Sequence, residues 1–360
     1  MTPEVPPGLR ILAVETSCDE TAVAVIEDGR RIIANVVASQ TPLHAPAGGI
    51  VPELAARAHL RWMLPVLDEA SARAGLRHLA DVDAVAVTYG PGLAGSLIVG
   101  LTMAKTLAFL HDRPLIAVNH LEGHIYAAWL IEGQEATPPP QFPAVALVVS
   151  GGHTLLVEMR DHLDYRLLGR TVDDAAGEAF DKVGRLLGLP YPGGPAIERA
   201  AASRGRTDGR LRLPRAWLGE SLDFSFSGLK TAVRRLVTEE AGGAADDGTA
   251  LPADLVVEVA AAFQESVIDV LATKTARAAA RAGARTIILG GGVAANGPLR
   301  AAIGERASAL GARLALPRPE LCTDNAAMIG AAGYRRFLAG ERAGLDLDVR
   351  PSLKLGGASA

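Results

Sequence analysis

Residues 10–40, RILAVETSCDETAVAVIEDGRRIIANVVASQ, contain three short apolar segments separated by small polar turns. The first segment ends at a turn rich in hydroxyl and acidic side chains, and the second ends at EDGR, which is typical of a tight hairpin. Apolar runs of about four to eight residues bounded by such turns predict β-strands. We therefore predict that the fold begins with a three-stranded antiparallel meander.

The same pattern returns about 130 residues later in PAVALVVSGGHTLLVEMRDHLDYRLLGRTV, residues 143–172. Each copy leads into alternating helical and strand patterns, so that a βββαβαβα unit occurs twice. An internal repeat of this kind indicates a duplicated architecture. We predict an α/β fold of two lobes, residues 10–135 and 136–345, with a ligand cleft where the strand-end loops of the two lobes meet.

Composition limits the class of protein. The 360 residues are 49% hydrophobic with a net charge of -4, which argues against coating nucleic acid by bulk charge. The two cysteines give no disulfide framework, and no apolar run approaches the length of a membrane span. We expect a cytoplasmic protein with flexible ends at residues 1–9 and 346–360 and an insertion in the second lobe near residues 199–250.

The segment NHLEGH, residues 119–124, carries two histidines four positions apart. The metalloprotease motif needs a glutamate directly after the first histidine, whereas Glu122 stands two positions along and points off the face of the rings. Residues at i and i+4 share one helical face, so His120 and His124 suit a divalent metal. Two solvated or capping histidines remain the alternative. Asp324 in CTDNAAM is a candidate third ligand, although spacing does not link it to the pair.

Small-residue turns follow several predicted strands and suit phosphate binding through backbone N–H groups. Two of them occupy equivalent places in the repeat, TSCDET and SGGHT, with hydroxyls at Thr16, Ser17, Ser150 and Thr154. LGGGVAAN and YPGGPAIE add two glycine-rich turns, which allow close approach to a nucleotide. A single Gly-Gly turn is a weak signal, because tight hairpins use glycine for steric reasons, and YPGGPAIE taken alone is better explained as a loop that binds no ligand.

Charged segments give two further candidates. In DDAAGEAFDKVG the first two acids favour capping of the helix start, whereas Asp181 lies deeper and is the better functional candidate. Residues 199–235 carry nine basic and three acidic residues with interspersed aromatics, which suits RNA as well as a solvated surface. A second basic stripe, Lys274, Arg277, Arg281 and Arg285, is predicted to be solvated.

Ten motifs occur in an order that resembles the tRNA N6-adenosine threonylcarbamoyltransferase family, known as TsaD in bacteria. They are VETSCDET, GGIVPELAARAHL, GPGLAGSLIVGL, NHLEGH, VSGGHT, DDAAGEAFDKV, YPGGP, FSFSGLK, GGGVAAN and CTDNAAMIG. The resemblance implies a duplicated actin-like, Hsp70-like ATPase (ASKHA) fold. It also implies transfer of a threonylcarbamoyl group from threonylcarbamoyl-AMP to N6 of adenosine 37, giving t6A in tRNAs that read ANN codons.

The resemblance further assigns site residues and partners. It implies one divalent metal per chain, with Fe2+ favoured over Zn2+, held by His120, His124 and Asp324. The adenylate would be bound by Val148, Val149, Ser150, Gly151, Gly152, Asp181, Gly194 and Asn296, with Glu198 near the ribose. Implied partners are the tRNA anticodon stem-loop, a TsaB-like paralogue and a TsaE-like ATPase. No residue is assigned as a general base.

Two other functions stay open from the sequence. An ATP-dependent kinase or chaperone-like ATPase of the same fold would share the phosphate-binding turns but would give no role to a metal site of two histidines and an aspartate. A metalloprotease is the least favoured, because Glu122 is misplaced for that chemistry.

Overall fold

The computed structural model describes residues 7–133, 137–203, 211–240 and 251–356. They form two compact units. The first unit comprises the described residues of Met1–Pro140, Asp161–Tyr165 and Pro317–Ala360, and the second comprises those of Gln141–Arg160 and Arg166–Leu316. The segment from Pro317 onward, placed in the C-terminal lobe from the sequence, thus clusters with the first unit. The predicted lobe boundaries themselves stay predictions.

The first unit is built on a six-stranded sheet. Its strands are β1 (Arg10–Glu15), β2 (Glu20–Glu27), β3 (Arg31–Ser39), β4 (Ala84–Gly90), β5 (Leu115–Asn119) and β6 (Ile131–Glu132). They lie in the order β5-β4-β1-β2-β3-β6, with β1, β2 and β3 antiparallel and with β4 and β5 parallel to β1. The predicted meander is therefore confirmed. Strands β1 and β4 are central and buried on both faces, which explains why their sequences are continuously apolar.

The second unit repeats this sheet. Its strands are β7 (Ala144–Val149), β8 (Thr154–Asp161), β9 (Asp164–Arg170), β10 (Thr286–Gly290) and β11 (Arg313–Ala315). Their order, β11-β10-β7-β8-β9, matches β5-β4-β1-β2-β3 strand for strand. In both sheets the central strand pairs antiparallel with the next strand in sequence and parallel with the strand on its other side. The predicted duplication is confirmed.

The helices complete the two units. In chain order they are α1 (Thr41–His44), α2 (Pro52–Arg73), α3 (Ala94–Leu110), α4 (His120–Tyr126), α5 (Ala176–Leu186), α6 (Gly193–Ala202), α7 (Ser227–Glu240), α8 (Ala253–Ala282), α9 (Gly297–Ala309) and α10 (Ala326–Leu338). Helices α2 and α3 pack on one face of the first sheet, where the side chains of Leu12, Val14 and Leu101 join one apolar core. Burial of this continuous apolar surface is the main stabilising term of the unit.

Helix α10 packs closely on strands of the first sheet because its contact face is made of small residues. A Cβ atom at Gly330 would lie 2.6 Å from Cγ1 of Ile26, and one at Gly333 would lie 2.6 Å from Cβ of Ala86. Both glycines therefore set how near the helix axis comes to the sheet. This close packing fixes the start of α10 and the residues just before it, which include Asp324.

Helix α8 corrects one prediction. Lys274, expected on a solvated stripe, is fully buried in the second unit, where its ammonium donates to the carbonyl of Asp223 and lies 5.5 Å from the centre of the Phe224 ring. Burial lowers the pKa of Lys274. Arg277, Arg281 and Arg285 are exposed as predicted. The lysine differs because the helix turns it toward the FSFSGLK segment, residues 224–230, which the structure packs against this face.

The C-terminal segment was expected to be flexible, but its described part is bonded to the first unit. The backbone N–H of Arg350 donates to the carbonyl of Tyr89 (2.7 Å), and the N–H of Gly92 donates to the carbonyl of Pro351 (3.1 Å). The side-chain amide of Asn119 donates to the carbonyl of Lys354 (3.2 Å). Residues 1–6 and 357–360 of the two predicted flexible ends lie outside the described residues.

Candidate functional site

The two histidines and Asp324 come together in the first unit. His120 is the first residue of α4, directly after β5, and His124 follows one turn later on the same face. Nε2 of His120 lies 3.5 Å from Oδ1 of Asp324, and Nε2 of His124 lies 3.2 Å from the same oxygen. The ligand atoms of all three residues lie within 4.8 Å of one another. This is the only such group of three histidine, cysteine or acidic side chains in the described ranges.

Local sequence explains why α4 begins at His120 and faces α10. The Asn119 side chain accepts a hydrogen bond from the N–H of Leu121 (2.9 Å) and so caps the helix start. Gly123, between the two histidines, faces α10, where an added Cβ atom would lie 2.7 Å from Cδ1 of Ile329. Asn325 caps α10 by accepting from the N–H of Met328 (3.1 Å). Two capped helices in close contact therefore bring Asp324 to the histidine pair.

The surroundings of the trio suit a cation. Both histidines are buried, and within the described part of the chain Nδ1 of His124 has no hydrogen-bond partner. Burial alone lowers the pKa of an imidazole, but the carboxylates of Asp324 and Glu15 raise the pKa of His120 to about 9. Burial lowers the pKa of His124. Two buried imidazoles that both face one carboxylate fit a divalent metal, because such an ion takes nitrogen and carboxylate donors together.

Glu122 takes no part in this group. Its carboxylate is fully buried and accepts hydrogen bonds from the Tyr165 hydroxyl (2.6 Å) and from Nε of Arg336 (2.7 Å). It points away from the histidine face, as the spacing predicted. The geometry of a zinc protease, in which the glutamate acts on metal-bound water, is therefore not formed here.

The first predicted phosphate-binding turn has a different role. Thr16 and Ser17 are buried, and the Thr16 hydroxyl donates to the carbonyl of Ser96 (2.8 Å). The N–H of Ser17 donates to Oε1 of Glu15, and the Ser17 hydroxyl lies 3.0 Å from Nδ1 of His120. Both side chains are therefore bonded within the protein, and the backbone N–H of Ser17 is not available to a phosphate as predicted because it is bonded to Glu15.

The second turn, SGGHT, keeps the predicted form. Val148 and Val149 are buried at the end of β7 and paired to β8 and β10. The N–H of Ser150 donates to the carbonyl of His153 (2.8 Å), so the exposed Gly151 and Gly152 are the residues that offer backbone N–H groups. The carbonyl of Ser150 accepts from the N–H of Gly177 (3.2 Å), which places this turn against the start of α5.

The other predicted substrate residues join neighbouring loops of the second unit. Oδ1 of Asp181 accepts from the N–H of Gly193 (2.7 Å), next to Gly194 at the start of α6. Oε1 of Glu198 accepts from the N–H of Gly297 (3.0 Å). Asn296 is buried, with its oxygen capping α9 at the N–H of Leu299 and its amide donating to Gln264 (2.9 Å). Asp181, Glu198 and Asn296 therefore tie loops together within the protein, and direct substrate contact by them stays a prediction.

Sequence reasoning missed Glu15 and misassigned Asp173. Asp173 caps α7 and not its own helix, since its carboxylate accepts from the N–H groups of Phe226 and Ser227 and from the hydroxyls of Ser225 and Ser227. An acid at the end of a buried apolar strand was the available signal for Glu15. Nothing in the spacing pointed from Asp173 to a helix more than 50 positions away.

No helix in the described part of the chain combines the length and the apolar character that a membrane crossing requires.

Comparison with known proteins identifies the family to which the chain belongs. The family model described as TsaD, tRNA N6-adenosine threonylcarbamoyltransferase, matches residues 31–331. Two relatives bear the name tRNA N6-adenosine threonylcarbamoyltransferase. The Thermomicrobium roseum protein is 56% identical over 361 residues, covering 96% of this chain and 96% of that protein. The Bacillus subtilis (strain 168) protein is 50% identical, covering 96% of this chain and 95% of that protein.

Solved structures at low identity show the fold. HypF of T. kodakarensis has a TM-score of 0.59 at 15% identity, covering 94% of this chain and 48% of HypF. Component A of the Acidaminococcus fermentans (R)-2-hydroxyglutaryl-CoA dehydratase has a TM-score of 0.50 at 14% identity, covering 92% of this chain and 99% of that chain. The predicted actin-like ATPase fold is confirmed. With the family model matching most of its length and relatives at 50% and 56% identity, the chain belongs to the tRNA N6-adenosine threonylcarbamoyltransferase family.

Proposed function

We propose that this chain transfers the threonylcarbamoyl group from threonylcarbamoyl-AMP to N6 of adenosine 37 in tRNAs that read codons beginning with A, with release of AMP. Family membership supports the reaction class. The cluster of His120, His124 and Asp324 is the single structural observation that carries the proposal. A kinase or chaperone-like ATPase of the same fold has no use for such a cluster and is not favoured.

The cluster of His120, His124 and Asp324 is proposed to bind a metal. One divalent metal per chain, Fe2+ first and Zn2+ second, is bound by the two imidazoles and the carboxylate, which are donors that both ions accept. When bound, it supplies a Lewis acid that polarises the threonylcarbamoyl group. The two histidines hold their ligand nitrogens on one face of α4, and Asp324 balances part of the positive charge.

The adenylate is assigned to loops of the second unit. Val148–Gly152 ends in two exposed glycines whose N–H groups suit a phosphate. Gly194 lies in the first turn of α6, where backbone N–H groups and the helix dipole also favour an anion. Asp181, Glu198 and Asn296 fix the loops around them through the hydrogen bonds described above. Contacts of these three residues with the nucleoside are part of the proposal.

The chemistry requires positioning more than covalent catalysis. N6 attacks the carbamoyl carbon, the bond from that carbon to the phosphate oxygen breaks, AMP leaves with the bonding pair, and N6 loses a proton. AMP is a good leaving group, but the N6 lone pair is delocalised into the adenine ring and is therefore a weak nucleophile. The main contributions are then alignment of the two reactants and stabilisation of charge on the carbamoyl oxygen. No side chain is assigned as the base.

The proposed function also implies an RNA-binding surface, protein partners and a cellular location. We assign the tRNA anticodon stem-loop to the basic segment 199–235, in which Arg212 is exposed and Arg215 is paired with Glu265 and Asp269. Arg210 of this segment lies outside the described residues. A TsaB-like paralogue and a TsaE-like ATPase are the proposed protein partners, in the cytoplasm, where tRNA is modified.

Nucleoside mass spectrometry tests the function in cells. Depletion of this protein should remove t6A from bulk tRNA, and expression of the wild-type chain should restore it, whereas a His124→Ala chain should not. An unchanged t6A content after depletion would contradict the proposed reaction. Restoration by His124→Ala would leave the reaction standing but would contradict the metal assignment.

A further inference from the structure

Glu15 lies directly behind the candidate metal centre. It is the last residue of β1, fully buried, and its side chain is held by two donors. Oε1 accepts from the N–H of Ser17 (2.5 Å) and Oε2 accepts from the hydroxyl of Thr88 at the end of β4 (2.5 Å). The first donor lies in the turn that follows β1 and the second lies on the neighbouring strand β4, so the carboxylate has a fixed position before any ligand binds.

The fixed carboxylate faces one nitrogen of His120. Oε2 of Glu15 lies 3.1 Å from Nδ1 of His120, and the Ser17 hydroxyl lies 3.0 Å from the same nitrogen. An ionised carboxylate only accepts hydrogen bonds, so Nδ1 must carry the proton in this contact. In the neutral ring, Nε2 then has the lone pair, and Nε2 is the nitrogen that lies 3.5 Å from Asp324.

The second histidine lacks such support. Nδ1 of His124 is buried without a hydrogen-bond partner among the described residues. The two candidate ligands are therefore not equivalent: the tautomer and orientation of His120 are set by the protein, whereas His124 has no corresponding acceptor behind it in the described ranges. A space-filling role alone would not explain why the carboxylate of Glu15 faces Nδ1 of His120, the ring nitrogen opposite the one that faces Asp324.

We propose that Glu15 is a positioning residue for the metal, which holds His120 in the Nδ1–H tautomer and turns its Nε2 lone pair toward the ion. This inference rests on the proposed metal centre and goes further by assigning a role to Glu15, the residue just before the TSCDET turn. A carboxylate hydrogen-bonded to a ligand histidine fixes the ring and strengthens its donation, and loss of such a group typically weakens metal binding by about 10- to 100-fold.

The test measures metal affinity with Zn2+ as the probe, by competition with a chromophoric chelator. Glu15→Gln removes the charge at nearly constant shape and should raise the Kd for Zn2+ by about 10- to 100-fold. Glu27→Gln is the matched control, because Glu27 lies at the opposite end of the β1–β2 pair and contacts Arg10 and Arg31. Its Kd should stay within about twofold of wild type, since it touches no proposed ligand.

A spectroscopic readout separates positioning from mere structural support. In the ¹⁵N–¹H spectrum of the zinc-loaded wild-type chain, His120 should show a protonated Nδ1 and a proton-free Nε2. The opposite tautomer would overturn the inference, even if Glu15→Gln failed to fold. A folded Glu15→Gln chain that binds zinc as tightly as wild type would also overturn it while leaving the metal centre intact. Absence of zinc binding by wild type would instead contradict the proposed metal centre, and this inference with it, while leaving the proposed reaction standing.

Discussion

The carboxylate of Glu122, between His120 and His124 on α4, accepts a 2.7 Å hydrogen bond from Nε of Arg336 on α10. Glu122 is fully buried, and the Arg336 side chain is 19% exposed. Helix α4 carries His120 and His124, and Asp324 stands just before α10. This ion pair therefore joins the two elements that supply all three candidate ligands.

Removal of one partner of this buried ion pair should lower the free energy of unfolding. Arg336→Met leaves Glu122 buried beside the Tyr165 hydroxyl alone, and loss of one member of a buried ion pair typically costs about 3–5 kcal/mol. The free energy of unfolding, measured by urea denaturation, should fall by that amount. Arg57→Met is the control, because its partner Glu53 is exposed and such pairs contribute about 1 kcal/mol or less. Equal losses in the two variants would contradict the account.

Metal addition should stabilise the chain only while the ligands are present. At a free Zn2+ concentration about 100 times the Kd, binding to the native state alone adds about 2.7 kcal/mol to the free energy of unfolding. His124→Ala should show no such gain, and a chelator should remove it from wild type. Thermal unfolding monitored with and without zinc gives the measurement. If zinc raised the free energy of unfolding of His124→Ala as much as that of wild type, zinc would bind at another site.

The cap at Asp173 should make α7 sensitive to acid. Burial opposes ionisation, but hydrogen bonds from Ser225, Phe226 and Ser227 hold the pKa of Asp173 below its ordinary value of 3.8. A depressed pKa gives stability that is complete above the ordinary pKa and is lost as the pH falls through the folded-state value. Asp173→Asn should therefore cost about 1 kcal/mol at pH 7, and this difference should shrink in acid.

Denaturation of wild type and Asp173→Asn at a series of pH values checks this sign. Glu220→Gln, an exposed change in the insertion that contains α7, is the control. A difference between wild type and Asp173→Asn that grows as the pH falls would refute the capping role.

The basic segment should contribute to tRNA affinity through charge. Arg212→Ala removes one exposed positive charge and should weaken binding of different tRNAs alike while reducing the slope of log K against log salt by about 0.7–0.9. Arg281→Ala removes an equally exposed charge from α8, outside the proposed contact. Binding titrations at several salt concentrations distinguish the two. Identical slopes for both variants would exclude Arg212 as an RNA contact.

Local sequence patterns predicted the architecture because each copy of the repeat is recognisable from residues close together in the sequence. The two meanders are marked by turn residues and apolar runs, and both sheets have the predicted strands in matching order. The shared face of His120 and His124 followed from helical periodicity alone. These features depend on neighbours within a few positions, which is why one sequence is enough to predict them.

Long-range relationships were not predictable in the same way. Asp324 was tied to the histidines by family resemblance and not by spacing, since about 200 residues separate it from them. Glu15 and His120 meet because β1 and β5 flank β4 in one sheet, and this order is not encoded in either segment alone. Lys274 was misplaced for the same reason, because the packing of residues 224–230 on α8 decides which face of that helix is buried.

The central claim is that a metal held by His120, His124 and Asp324 is needed for threonylcarbamoyl transfer. The most direct measurement compares metal content and transfer from threonylcarbamoyl-AMP to tRNA for wild type, His120→Ala and the exposed-histidine control His78→Ala. Wild type and His78→Ala should each bind one metal and transfer alike, whereas His120→Ala should retain its circular dichroism, lose the metal and transfer about 100-fold more slowly. Full transfer by a metal-free His120→Ala chain would contradict the account.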